Sequence, residues 1–253
     1  MPTGASSTDT SSQRSVLVVQ PDSSCALDRF GPWLAEQGLD VRVVSPCVGD
    51  PVPGELHEDG LIVLGGDMSA MDDSSYPWLE DIRRLYREAV SRGRPALGIC
   101  LGGQLLAQAL GGTVTRGDRG LEVGVVHVSL RSEAADDALF GCLPQRFPVG
   151  AFHRDMIASL PPDAVWLGES EMYPHQIFRV GTAWGVQFHP ELSPTGYGSW
   201  LPLLGEDDAE SVERAMQGAR DFAEHDPQVA SATATLARSF AHLARVSSPS
   251  MRE

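Results

Sequence analysis

Arg94-Pro95-Ala96-Leu97-Gly98-Ile99-Cys100-Leu101-Gly102-Gly103-Gln104, running into Leu105-Leu106-Ala107-Gln108-Ala109-Leu110, is the stretch that decides the fold. Its first half reads as a short buried strand and its second as a Leu/Ala-rich helix. Cys100 sits at the junction with a glycine two residues away on each side. This is the pattern of a nucleophile elbow, in which a sharp strand-to-helix turn holds one reactive side chain at its apex. Gly98 and Gly102 fit it because a Cβ at either position would crowd the turn. The helix N-terminus offers free N–H groups and partial positive charge, which favour a thiolate over a thiol. A lone cysteine is more often a small buried hydrophobe, and the flanking glycines set this one apart.

The segments on either side read as an α/β chain. Ser15 to Gln20, Val41 to Val44 and Gly60 to Leu64 are short apolar runs of the kind buried in a parallel sheet. Leu27 to Gln37 and about Pro77 to Arg92 carry helical apolar spacing. The alternation predicts a mostly parallel sheet flanked by helices. Gly111 to Gly124 reads as Gly-rich turns, Val123 to Leu130 as an antiparallel strand, Ala134 to Phe140 as a short helix, and Leu143-Pro144 as the start of a loop. Strands follow at 165–168, 176–180 and 183–188, the last two joined by a Gly181-Thr182 hairpin turn. Helices are expected over about 208–225 and 228–246. Residues 15–246 are read as a single domain, between a disordered Ser/Thr-rich tail at 1–14 and frayed residues at 247–253.

Composition excludes several classes of function. The chain has 253 residues and a net charge of −15, which argues against binding nucleic acid. All nineteen basic residues are arginine, so Schiff-base, pyridoxal-phosphate and P-loop lysine chemistry are excluded. No apolar run is long enough to span a bilayer, and the N-terminus lacks a signal-peptide core. Cys25, Cys47, Cys100 and Cys142 are widely spaced, without a CxxC pair or metal-type cluster. These features predict a cytoplasmic protein with free thiols and with no metal or cofactor. Cys25, Cys47 and Cys142 are read as packing or surface residues.

A thiol nucleophile needs a base, and the base an orienting partner. His189, in Trp184-Gly185-Val186-Gln187-Phe188-His189-Pro190-Glu191, stands at a strand's C-terminal end, the edge where α/β sites assemble. Pro190 biases His189 toward an extended conformation, and residues two apart in an extended segment face the same side. Glu191 is therefore placed to hold the His189 ring. Gly65-Gly66 follows a parallel strand, so its N–H groups, with that of Leu101, can face a developing oxyanion.

Together these pieces resemble the class I glutamine amidotransferase family, whose fold is flavodoxin-like. The matching tracts are Leu64-Gly65-Gly66, Gly98-Ile99-Cys100-Leu101-Gly102-Gly103-Gln104, Gln176-Ile177-Phe178-Arg179 and Phe188-His189-Pro190-Glu191, in family order over about residues 15–195. The variant most resembled is the free-standing GMP synthetase-like type without a synthetase domain. The resemblance implies Cys100 as nucleophile, His189 as acid/base and Glu191 as its orienter. It implies the N–H groups of Gly66 and Leu101 as oxyanion hole, and Gly65, Gln104, His153, Arg154 and Asp155 as substrate-binding residues. The family tract at Ala151 to Asp155 usually has Trp before His and a small residue before Asp, where this chain has Phe152 and Arg154. Val125 stands where Trp is common.

Three readings follow. The first is hydrolysis of the γ-glutamyl amide of glutamine through a γ-glutamyl thioester, with ammonia released for a separate synthetase. The second is hydrolysis of a larger γ-glutamyl amine or peptide, for which a γ-glutamyl ligase is the expected partner enzyme. The third is a catalytically silent regulatory subunit.

Overall fold

The computed structural model describes residues 13–204 and 209–247. Most of the N-terminal tail read as disordered, and all but Ser247 of the C-terminal one, lie outside the described residues. Five strands form the parallel half of a nine-stranded sheet: β1 (Ser15–Val19), β2 (Asp40–Val44), β3 (Gly60–Val63), β4 (Ala96–Ile99) and β11 (Ala183–Val186). Their order, β2-β1-β3-β4-β11, is that of a flavodoxin-like sheet. Val16 to Val19 and Leu61 to Val63 are fully buried, which explains why these strands read as unbroken apolar runs. Helices α1 (Phe30–Glu36), α2 (Trp78–Ser91) and α3 (Leu101–Ala109) cover the two faces. α2 buries Leu79, Ile82, Leu85, Tyr86 and Ala89, and the Tyr86 hydroxyl donates to the Gly102 carbonyl at 2.9 Å.

The other half of the sheet is antiparallel. β10 (Ile177–Val180) pairs with β11 through the expected hairpin. β9 (Val165–Glu169), β6 (Glu122–Leu130) and β7 (Arg146–His153) follow in that order to the edge. A separate ribbon pairs β5 (Thr113–Arg116) with β8 (Asp155–Ser159).

Here the structure corrects the sequence reading. The Gly-rich 111–124 segment contains β5, and the stretch after Leu143 contains β7 and β8. Pro148 and Gly150 hide β7 from a propensity reading. Proline is tolerated there because β7 is an edge strand. The expected helix over 134–140 is instead a 3₁₀ turn at Ser132–Ala134 followed by turns, in which the buried Asp137 carboxylate accepts from the N–H groups of Leu139 and Phe140. α4 (Pro194–Trp200) has no counterpart in the sequence reading. The two expected C-terminal helices are one, α5 (Ala209–Val246), which continues through Pro227. An internal proline removes one helical hydrogen bond. Burial of Phe222 before it and Val229, Leu236 and Phe240 after it, together with the Arg29–Asp226 ion pair, keeps both halves on one axis.

The first turn of α3 touches backbone on three strands. A Cβ added at Gly102 would stand 2.1 Å from the Val63 carbonyl oxygen, and one at Gly103 2.6 Å from that of Val186. These neighbours are rigid main chain, so Gly102→Ala is expected to destabilise the fold by about 3 kcal/mol, as overpacking at an unyielding site does. The midpoint of urea unfolding, compared with that of the parent chain, measures the loss.

Candidate active site

Cys100 joins β4 to α3 with φ 50° and ψ −108°, one of two non-glycine residues with positive φ among those described. Such a backbone costs on the order of 1–3 kcal/mol and persists only where its surroundings impose it. Here the Cys100 N–H donates to Val186 O at 2.9 Å, and the Gln104 N–H donates to Cys100 O at 2.9 Å. The elbow expected from the sequence is therefore present in the backbone. Cys100 is buried, with its side chain on the wall of a cavity of about 400 Å³.

His189 follows the neighbouring strand β11 and is fixed by its own N–H, which donates to Gly150 O on β7 at 2.8 Å. Its ring lies against Gly65, where an added Cβ would come within 2.8 Å of the ring carbon Cε1. Its Nδ1 donates to Glu191 Oε1 at 2.7 Å, and the ring also hydrogen-bonds Cys100. Glu191 is fully buried, and its second oxygen has no hydrogen-bond partner among the described residues. Its charge is therefore directed at the imidazole. Burial disfavours a charged ring. The Glu191 carboxylate and the Cys100 sulfur on its two sides outweigh that cost and raise the His189 pKa to about 10.

The remaining expected residues divide. Gly66 lines the cavity and packs tightly on Leu101, since a Cβ there would lie 2.9 Å from the Leu101 side chain. Leu101 opens α3, where the first N–H groups have no acceptor within the helix. Gly65 is set behind the His189 ring instead of on the cavity wall. Gln104, His153, Arg154 and Asp155 all line the cavity. Gln104 Nε2 donates to Asp155 O at 3.2 Å. His153 is engaged at both nitrogens, Nε2 with Glu122 Oε2 at 2.7 Å and Nδ1 with Asp155 O at 3.0 Å. It is thus held as a wall and is not available as a second base. Asp155 is tied to the loop after β3 through Ser69, whose hydroxyl donates at 2.6 Å. Phe152 lines the cavity, whereas Val125 packs behind it with the Tyr197–Trp200 cluster.

Two cavity residues escape the sequence reading. Trp200, on α4, stands edge-on to His189 with ring centroids 4.6 Å apart, and to Phe152 at 5.7 Å. It supplies aromatic volume beside the positions where relatives carry Trp. The Ser193-Pro194 start of α4 is a legible signal: the Ser193 hydroxyl accepts from the Gly196 N–H, with Pro at the first helical position. Cys25 also lines the cavity, and burial pushes its thiol up, so it remains protonated.

The same arrangement of strands, elbow and cavity is shared with known proteins. The model of the family "Glutamine amidotransferase class-I" matches residues 33–202. The chain belongs to the class I glutamine amidotransferases. It is 39% identical over 185 residues to the glutamine-hydrolysing subunit of GMP synthase from Pyrococcus abyssi, covering 72% of this chain and 93% of that one. It is 37% identical over 144 residues, 57% of its own length, to the GMP synthase of Thermomicrobium roseum, of which it spans only 25%. A solved glutamine amidotransferase from Thermotoga maritima superposes with a TM-score of 0.79 at 27% identity, covering 93% of this chain and 99% of that one. One from Methylobacillus flagellatus gives 0.78 at 27%, covering 92% and 94%. Nothing among the described residues is a helix long and apolar enough to cross a membrane.

The raised His189 pKa fixes the sign of a pH effect. Because the folded value, about 10, lies above the ordinary 6.5, the stabilisation is fully present below 6.5 and is lost as pH rises through about 10. Glu191→Gln removes the neighbouring charge and is expected to bring the ring's midpoint down. NMR titration of the labelled His189 ring measures it, and an unmoved midpoint would contradict the assigned role of the carboxylate.

Proposed function

We propose that this amidotransferase hydrolyses the side-chain amide of glutamine through a thioester on Cys100. The observation that carries the reading is a single arrangement: a cysteine on a strained elbow, hydrogen-bonded to a histidine whose far nitrogen is 2.7 Å from a fully buried glutamate. The Cys100 thiolate attacks the amide carbon, and the carbonyl oxygen becomes an oxyanion facing the N–H groups of Gly66 and Leu101. His189, protonated through its pairing with Glu191, gives its proton to the departing nitrogen, so ammonia leaves and a γ-glutamyl thioester remains. The same ring then takes a proton from water, the hydroxide adds to the thioester, and glutamate and the thiolate are released. Asp155 and Gln104 carry polar groups suited to the amino-acid end of the substrate. A separate synthetase receives the ammonia, a division of labour supported by the name of the Pyrococcus relative, which is one subunit of its enzyme.

A second reading, hydrolysis of a larger γ-glutamyl amine or peptide, draws on the cavity itself. At about 400 Å³ it falls in the usual range for small-molecule sites, roughly 300–1,000 Å³. Its rim residues Arg116 and Arg154 also line a second cavity of about 360 Å³. That extension offers room and positive charge for a leaving group bigger than ammonia.

Cys100→Ala is expected to abolish hydrolysis, and His189→Asn to lower it by roughly 10²–10⁴, the value of a positioned acid/base. Glu191→Gln is expected to cost less than His189→Asn. Replacing the exposed Cys47 and Cys142 together is expected to leave turnover intact. Full activity in Cys100→Ala would end the reading.

Release of glutamate from glutamine and from a panel of γ-glutamyl amines and dipeptides, measured without any partner, separates the two substrate readings. Turnover confined to glutamine and raised by an added synthetase supports ammonia supply. Faster turnover of the bulkier amides supports the second reading.

A further inference from the structure

Gln187 lies one residue beyond β11 and is 1% exposed, so water does not serve its side chain. It is two residues from His189, and in an extended segment such residues reach the same side. Its Nε2 approaches Cys100 Sγ at 3.8 Å, while its Oε1 accepts from Gln104 Nε2 at 3.4 Å. The sulfur thus has two donors from one segment, the His189 ring and the Gln187 amide.

The direction of this chain of amides is not arbitrary. Its fixed end is the Asp155 carbonyl, which can only accept. That carbonyl takes an N–H from Gln104 at 3.2 Å, which orients the Gln104 amide and presents its NH₂ group to Gln187. Gln187 must answer with its oxygen, so its own NH₂ group faces the sulfur. A flipped Gln187 would set donor against donor at one end and oxygen against sulfur at the other. At a buried position neither mismatch has water to relieve it.

We infer that Gln187 is a further residue of the catalytic machinery, whose amide N–H stabilises the Cys100 thiolate in an orientation transmitted from Asp155 through Gln104. The inference rests on the reading of Cys100 as nucleophile. The bond acts whenever the sulfur carries charge: before attack on the amide, and again when the thioester breaks and the thiolate departs. During the thioester stage the sulfur is neutral and the bond weakens. Gln187 does not line the cavity, so its contribution falls on the sulfur and not on substrate affinity.

The test uses the full chain with Gln187→Met, which keeps the shape and removes the donor. The pH dependence of iodoacetamide labelling at Cys100, followed by mass spectrometry of its peptide, is independent of any substrate. The acid limb of that profile is expected to rise by about one pH unit, and kcat for glutamine to fall about tenfold with KM moving less, as loss of one hydrogen bond to a charged group implies. Gln187→Glu, nearly the same shape but anionic beside the sulfur, is expected to move the limb further. It decides the matter if the methionine variant does not fold. A parental labelling profile in either folded variant overturns the inference. Cys100→Ala keeps the two claims apart. Hydrolysis that persists in that variant removes the nucleophile reading itself. Hydrolysis that is lost there, alongside a parental profile in Gln187→Met, removes only the role of Gln187.

Discussion

The structure depends on how closely the first turn of α3 approaches the sheet beneath it. Gly98, Gly102 and Gly103 leave no side chain between that turn and the carbonyls of Val63, Gly98 and Val186, on three adjacent parallel strands. A helix started so close to a strand end has no room for a relaxed connection. The residue between them is driven to positive φ, and that residue is Cys100. Strain at the cysteine and lack of side chains around it are therefore one fact. The packing that removes every alternative path for the chain also lifts the thiol to the mouth of the sheet.

Electrostatics then follow from topology. β4 and β11 are parallel neighbours, so residues leaving their C-terminal ends emerge side by side, with Ile99 opposite Val186. Cys100 comes one residue after the first and His189 three after the second. Glu191 is buried with one oxygen on His189 and the other unpartnered among the described residues. A carboxylate so poorly solvated is costly to bury alone. It is tolerable because the imidazolium next to it is equally dependent on the partnership. The same dependence keeps a proton on His189 well into alkaline pH.

What the sequence reveals and what it hides divide along physical lines. The parallel strands are legible because burial on both faces leaves an unbroken apolar run. The elbow is legible because close backbone approach demands glycine at particular spacings. The antiparallel half is harder to read. β7 carries Pro148 and Gly150, both unfavourable in strand interiors, yet it is an edge strand, and a Cβ at Gly150 would meet the Phe222 ring at 2.3 Å. The glycine there records contact with α5, which local propensity cannot reveal. Pro227 misleads in the opposite sense: it reads as a break, but tertiary burial on both sides overrides the lost hydrogen bond. At the site, Cys100, His189 and Glu191 are visible through spacing. Trp200 and Cys25 are not, because only the folded chain carries α4 and the Asp22–Cys25 turn over the elbow.

The antiparallel half does more than extend the sheet. β6 and β7 bring Glu122 opposite His153, and Ser170 and Gln176 add two further donors to the same carboxylate, at 2.6 Å each. Glu122 thus accepts three hydrogen bonds within a nearly closed site. His153, held by it, passes its other nitrogen to the Asp155 carbonyl, the same oxygen that receives Gln104. A rigid polar wall built on one half of the sheet therefore sets the angle of a side chain on α3, the helix that the elbow begins. The parallel strands deliver the reactive groups, and the antiparallel ones fix the surface those groups face. Neither half alone would hold a substrate and a nucleophile at a defined angle, which gives a physical reason for one sheet to continue without interruption from β2 to β7.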